Sequence, residues 1–393
     1  MPTRRRAAAL LGCAYGGRVP IGRDPDVPAV ATVGVEEEFH LVERDTRALA
    51  PVADAVLGSL PGGSYSTELH QSMVETRTPV CTTLAQLRQA IGELRRQVSE
   101  AAAPHGVAIA AAGTLPMAPT RLAVTGGERY RRMLADYQML VREQLICGLQ
   151  VHVGVGDRDR AVRLMQRIAP VTPLLLAITA SSPFWYTGDD TGYASVRTLV
   201  WQRWPTAGTA GPLRSAADYD RVVAQLLQAG VISDPGMIYF DVRPSAHLPT
   251  LELRVCDACP SVDAVLLVAA IFRASVGHEL SADSAGAPPV LQSDPLHRAA
   301  MWRAARSGLA DVLVDPAACR PIPAAALLRQ TVAELREQFE VSGDWAEVTD
   351  LVDVVLRQGS PAQRQRATMM RAGRATDVVD QVIEETASGV PRA

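Results

Sequence analysis

The stretch Val30-Ala-Thr-Val-Gly-Val-Glu36-Glu-Glu38-Phe-His40-Leu-Val42 reads as a strand. Side chains on a strand point alternately to opposite faces. Val33, Val35, Phe39 and Leu41 therefore share one face, and Glu36, Glu38 and His40 the other. Glu37 falls among the aliphatic residues, and the pattern offers no account of it. Three further stretches repeat the arrangement. Over 146–155, Leu149, Val151 and Val153 alternate with Gln150 and His152. Over 250–255, Leu251, Leu253 and Val255 alternate with Glu252 and Arg254. Over 237–243, Tyr239, Asp241 and Arg243 share a face. If these strands share a sheet, one face is core and the other carries acids, an imidazole, an amide and guanidinium groups. A solvated sheet face would also be polar, but these are the residue types that ligate metals and bind phosphate.

Elsewhere the patterns are mostly helical. Over 83–102, Leu84, Leu87, Ile91, Leu94 and Val98 line one face, and Thr83 with Gln86 spells a capping box. Helices are also expected over 128–144, 160–180 (broken by prolines), 262–280, 324–339, 345–358 and 376–385, with a short strand at 107–112. Hairpin-like strand neighbours and late-clustering helices indicate an α+β fold with an antiparallel sheet, rather than alternating β-α-β units.

Composition narrows the chemistry. The chain has 393 residues, 39 basic against 42 acidic, and a net charge of -3. That balance argues against nucleic-acid binding through a basic surface. No uninterrupted apolar run approaches the ~18 residues that would span a bilayer, so no membrane partner is expected. There is no Lys and no Asn. The first absence excludes a P-loop and a Schiff-base lysine; the second excludes N-glycosylation. Six Cys, at 13, 81, 147, 256, 259 and 319, do not form a disulfide framework. Cys256 and Cys259 form a C-x-x-C without the βαβ context or extra ligands that redox or zinc chemistry needs. A reducing cytoplasm is the expected setting.

Residues 1–29 read as a flexible extension. Arg4-Arg-Arg6, Ala7–Leu11 and Gly12-Cys13 hint at a lipoprotein signal, but the apolar run is shorter than the ~7–15 residues a signal needs. A single catalytic domain is expected over 30–393.

Clustered carboxylates repel and raise one another's pKa, and divalent cations relieve this. A Glu-rich set with one His suits Mg²⁺ or Mn²⁺, which prefer oxygen. Arginine beside it can pair bidentately with phosphate. Glu68 and Glu75 supply a second acidic pair; seven residues apart, they can meet at one site only across a turn or bulge. His70, His105, His247, His278 and His297, like His40, read as surface or satisfied polar groups. Trp185, Trp201 and Trp204 read as packing residues, and Arg364-Gln-Arg366 as a solvated helix start.

In this order Gly34-Val-Glu-Glu-Glu-Phe39, Glu68 with Glu75-Thr76, Gly148-Leu-Gln-Val-His-Val-Gly154 and Thr250-Leu-Glu-Leu-Arg-Val-Cys-Asp257 resemble the type 2 glutamate–cysteine ligase family. Ser181-Ser-Pro-Phe-Trp185, Asp190-Thr-Gly-Tyr-Ala-Ser195, Gln202-Arg-Trp-Pro205 and Trp302-Arg-Ala-Ala-Arg-Ser-Gly-Leu309 extend the match to roughly 32–370. The resemblance implies a glutamine-synthetase-like fold, an antiparallel sheet funnel with helices on its outer face. It implies two or three Mg²⁺ or Mn²⁺ ions held by Glu36, Glu38, Glu68, Glu75, His152 and Glu252, with ATP as cosubstrate. It makes Arg254 the catalytic group on the transferring phosphoryl, and Gln150, Arg243, Arg197, Arg303 and Arg306 candidates for ATP or substrate binding. Met301 stands where relatives often carry a polar or basic residue.

The implied reaction is ATP-dependent amide formation from glutamate and cysteine through an acyl phosphate. The same ligase chemistry on another amine is one alternative. A metal-dependent phosphohydrolase and a non-catalytic nucleotide-binding protein are others, separated by whether ADP appears together with an amide. The expected partners are small molecules, and a homodimer is the default for such an enzyme.

Overall fold

The computed structural model describes residues 31–119, 123–289 and 293–388, so the N-terminal extension lies outside the described residues. Its centre is a seven-stranded antiparallel sheet. The strands are β1 (Val33–Glu43), β2 (Tyr65–Thr67), β3 (Met73–Arg77), β4 (Val107–Ala110), β5 (Gly148–Gly154), β6 (Val242–Pro244) and β7 (Thr250–Asp257). The order is β2-β3-β1-β5-β7-β6, and β4 pairs the end of β1. A short hairpin, β8 (Val312–Asp315) with β9 (Arg320–Pro323), stands apart.

The aliphatic face of the sheet is core. Val33, Val35, Leu149, Val151, Val153, Leu251, Leu253 and Val255 are buried in one cluster with the helix Val262–Ser284. That helix and the stretch Arg158–Thr179 are long and apolar enough to cross a membrane, yet 78% and 72% of their most apolar windows are buried in the protein. Burial on nearly all sides explains why Val262–Ser284 shows no amphipathic stripe.

Several elements differ from the sequence reading. The helix Leu84–Ala102 has Thr83 as its cap, accepting from Gln86 N; the Gln86 side chain, however, accepts from Thr82 N, one residue before the capping-box position. The helix expected over 128–144 breaks into Glu128–Tyr137 and Met139–Arg142 at Gln138, whose φ is 49°. The strand expected over 237–243 is instead a 3₁₀ turn, Pro235–Met237, followed by β6. Thr206 diverts it, its hydroxyl donating to Met237 O and accepting from Tyr239 N. Helices Ala216–Gln228 and Asp294–Ser307 have no counterpart in the sequence reading, and the helix start expected at Arg364-Gln-Arg366 lies within the helix Pro361–Ala372. In that helix Arg364 and Arg366 are half-buried and pair with Glu385 and Asp190.

Candidate active site

Pairing register brings the polar face together. Glu36 stands opposite Arg77 and Gln150, Glu38 opposite Glu75, and Glu252 opposite His152 and Arg243. The register shifts between Leu149 and Val151, so β7 bulges where Arg254 sits. A bulge re-aims a side chain without breaking the sheet. Glu68 follows β2 and Glu75 lies on β3, joined by the turn their spacing required.

Two trios result. Glu36, His152 and Glu252 form one, and Glu38, Glu68 and Glu75 the other; within each, one ligand atom per residue lies within 4.8 Å of the rest. Glu36 and Glu38, successive on one face of β1, divide between the trios, so β1 supplies an acid to each.

Their electrostatics differ. Burial pushes Glu68 well above the usual carboxylate range, reinforced by Glu38 and Glu75. Burial, with Glu36 and Glu38, raises Glu75 to about 7 against the opposing pull of Arg77. This trio is therefore short of positive charge. Glu252 is the reverse. Burial alone would raise it, but Arg254, Arg243 and His152 hold it at about 2. Arg243 Nε donates to Glu252 Oε2 at 2.8 Å, and Arg254 donates to Glu252 Oε1.

The donor set fits a hard divalent cation. His152 Nδ1 lies 3.1 Å from Thr250 Oγ1. Its buried Nε2 has no hydrogen-bond partner among the described residues and lies 3.7 Å from Glu36 Oε1. A buried acceptor without a partner costs about 1–3 kcal/mol, which a ligated ion would relieve. Oxygen-rich donors with one imidazole suit Mg²⁺ or Mn²⁺.

The remaining candidates are placed as follows. Gln150 donates to Glu38 Oε1 at 2.7 Å, and Gly148 N donates to Glu38 Oε2 at 2.6 Å, so both orient a trio carboxylate. Arg197 is buried and donates to the carbonyls of Val255 and Arg254. Arg303 and Arg306 lie on the helix Asp294–Ser307, over the rings of Trp302 and Tyr193, and make no described contact with either trio. None of the other histidines belongs to a trio. His40 is neither surface nor charged: burial lowers it to about 4. Cys256 and Cys259 are buried free thiols pushed up to about 12, so the C-x-x-C is inert.

Sequence reasoning missed two neighbours. Arg77 donates to Glu75 at 3.0 Å and lies 3.4 Å from Glu36; the alternation Glu75-Thr-Arg77 could have placed it. Trp201, read as packing, has the guanidinium groups of Arg197 and Arg254 5.4 and 5.6 Å from its ring centre. No spacing in the sequence points to that. A cavity of about 920 Å³ reaches the sheet at Arg243 and Thr250, beside the His152 trio, with Arg129, Arg158 and Tyr219 on its walls.

The model of glutamate–cysteine ligase family 2 matches residues 32–384. The chain belongs to this family. A Mycolicibacterium smegmatis protein provisionally named glutamate–cysteine ligase 2-2 is 51% identical over 357 residues, covering 91% of this chain and 90% of that protein. A Frankia casuarinae protein, also provisionally named glutamate–cysteine ligase 2-2, is 52% identical over 358 residues, covering 91% of this chain but 42% of its own length. The chain thus spans under half the length of the first curated relatives it matches. In fold it is similar to the crystal structure of a Francisella tularensis glutamate–cysteine ligase in complex with AMP, with a TM-score of 0.62 and 13% identity, covering 91% of this chain and 89% of that one. The α+β architecture with an antiparallel sheet is the one the family implied.

Proposed function

We propose that this family member is an ATP-dependent carboxylate–amine ligase, with glutamate and cysteine as its substrates and γ-glutamylcysteine as product. The observation that carries this reading is the pair of trios sharing β1, with Arg254 against one of them. Paired acidic sites beside an arginine suit phosphoryl transfer, where positioning and charge stabilisation supply most of the catalysis.

Glu36, His152 and Glu252 would hold one Mg²⁺ or Mn²⁺, and Glu38, Glu68 and Glu75 another. Bound there, the ions would neutralise charge on the triphosphate. The cavity beside Arg243 and Thr250 has room for a nucleotide. Arg254, held by Glu252 and stacked near Trp201, presents its guanidinium to the transferring phosphoryl. The glutamate γ-carboxylate oxygen bonds to the γ-phosphorus as the bond to ADP breaks. The neutral amine nitrogen then bonds to the acyl carbon, phosphate leaves with the C–O bonding pair, and the nitrogen's proton passes to an oxygen of that phosphate or of a nearby carboxylate.

The test is incubation with Mg·ATP, glutamate and each amino acid in turn, measuring ADP and product mass together. A γ-glutamylcysteine mass with matching ADP supports the reading. ADP with another amine keeps the ligase and moves the acceptor. ADP and phosphate without an amide contradict it.

A further inference from the structure

Three consecutive identical residues pose a register problem. Glu36, Glu37 and Glu38 are chemically the same, yet only the outer two reach the trios. A slip of one residue would turn Glu37 toward the site and send its neighbours to the opposite face. We propose that the buried ion pair between Glu37 and Arg95 is a positioning device that fixes β1, and with it both trios, in the ligating register.

Glu37 is 3% exposed and Arg95 is fully buried. Arg95 Nη2 donates to Glu37 Oε1 at 2.6 Å and Nε donates to Oε2 at 3.1 Å. The other donors go to Pro260 O at 2.7 Å, Cys259 O at 2.8 Å and Thr386 O at 3.3 Å. One guanidinium thus joins the helix Leu84–Ala102, the middle of β1, the segment just beyond β7 and the C-terminal helix Ala375–Ser388. β1 carries Glu36 and Glu38; β7 carries Glu252 and Arg254. The pair therefore ties together the two strands that bear most of the site.

Stability alone does not account for such a pair. Replacing a buried ion pair with apolar residues is often neutral or stabilising, because desolvation offsets the attraction. Specifying one arrangement among near-equivalents is the attested use, and three successive glutamates create that need. Lysine could not substitute, since only the planar fork reaches both carboxylate oxygens and the flanking carbonyls.

The inference rests on the metal-site reading above, and the test separates the two. Mn²⁺ affinity, followed by electron paramagnetic resonance, and the thermal midpoint are measured for the wild type, Glu37→Gln, Arg95→Lys and Glu252→Gln. Asp344→Asn serves as a control; Asp344 belongs to another buried pair, with Arg273, and neither residue is part of a trio. Positioning predicts that Glu37→Gln and Arg95→Lys weaken Mn²⁺ binding about 10–100-fold. Asp344→Asn lowers the midpoint and leaves Mn²⁺ affinity unchanged. If Glu37→Gln does not fold, Arg95→Lys, which keeps the charge, carries the test. Wild-type Mn²⁺ affinity in the folded variants, or failure of both to fold, overturns the proposal. If the wild type binds Mn²⁺ no better than Glu252→Gln, the metal site itself falls.

Discussion

Arg254 and Glu252 show how one side chain sets another. The arginines around Glu252 hold it ionised at about 2 although it is buried. Arg254→Lys would keep a charge but lose the fork, and kcat should fall about 10²–10³-fold with little change in thermal midpoint. Steady-state kinetics beside a melting curve checks this. Glu75 gives the opposite pH signature. In chelated protein its folded pKa of about 7 lies above the ordinary carboxylate value. The folded state then binds more protons than the unfolded state between about 4.5 and about 7. That contribution to stability is present below this window and is lost as pH rises through it. Chelated protein should therefore lose thermal stability from pH 5 to pH 7.5, and Mg²⁺ should restore it at the upper end. A flat profile would show that burial and the neighbouring Glu36 and Glu38 carboxylates do not raise Glu75 in the folded chain.

At the level of elements, the acids and His152 were legible because strand alternation places side chains by parity. That rule put Glu36 and Glu38 on one face of their strand and set Gln150, His152, Glu252 and Arg254 on the polar faces of theirs, with Glu68 and Glu75 as a second acidic pair; the resemblance joined the six into one ligand set. Glu37 was visible as an anomaly, but its partner was not. Arg95 sits on a helix whose apolar stripe reads well without it, and nothing local marks it as buried. Gln138 is similar: it breaks a helix with no glycine or proline to announce the break. Met237–Tyr239 looked like strand, yet a distant threonine took the backbone bonds. Tertiary hydrogen bonds of this kind leave no periodicity. They can be tested at Gly113, which follows β4. A Cβ there would lie 2.6 Å from Asp257 Oδ2 and 2.9 Å from Ser182 Cβ. Asp257 is fully buried and accepts from Ser181 N, Ser182 Oγ and Ser195 Oγ, so it has nowhere to move. Gly113→Ala should destabilise the fold by about 1–3 kcal/mol in urea unfolding.

For the whole molecule, the sheet separates two environments. One face is an aliphatic core closed by the helix Val262–Ser284; the other gathers the two trios and their arginines, and a cavity of about 920 Å³ opens beside them at Arg243 and Thr250. The family membership and the fold agree with that division, and the reaction proposed for the charged face is tested on its own. The central claim is that a substrate carboxylate is phosphorylated before the amine attacks. The direct measurement uses glutamate labelled with ¹⁸O in its γ-carboxylate, with Mg·ATP and cysteine, and follows the label into inorganic phosphate. The account predicts one ¹⁸O in phosphate for each ADP and each γ-glutamylcysteine formed. Phosphate released without ¹⁸O would contradict it.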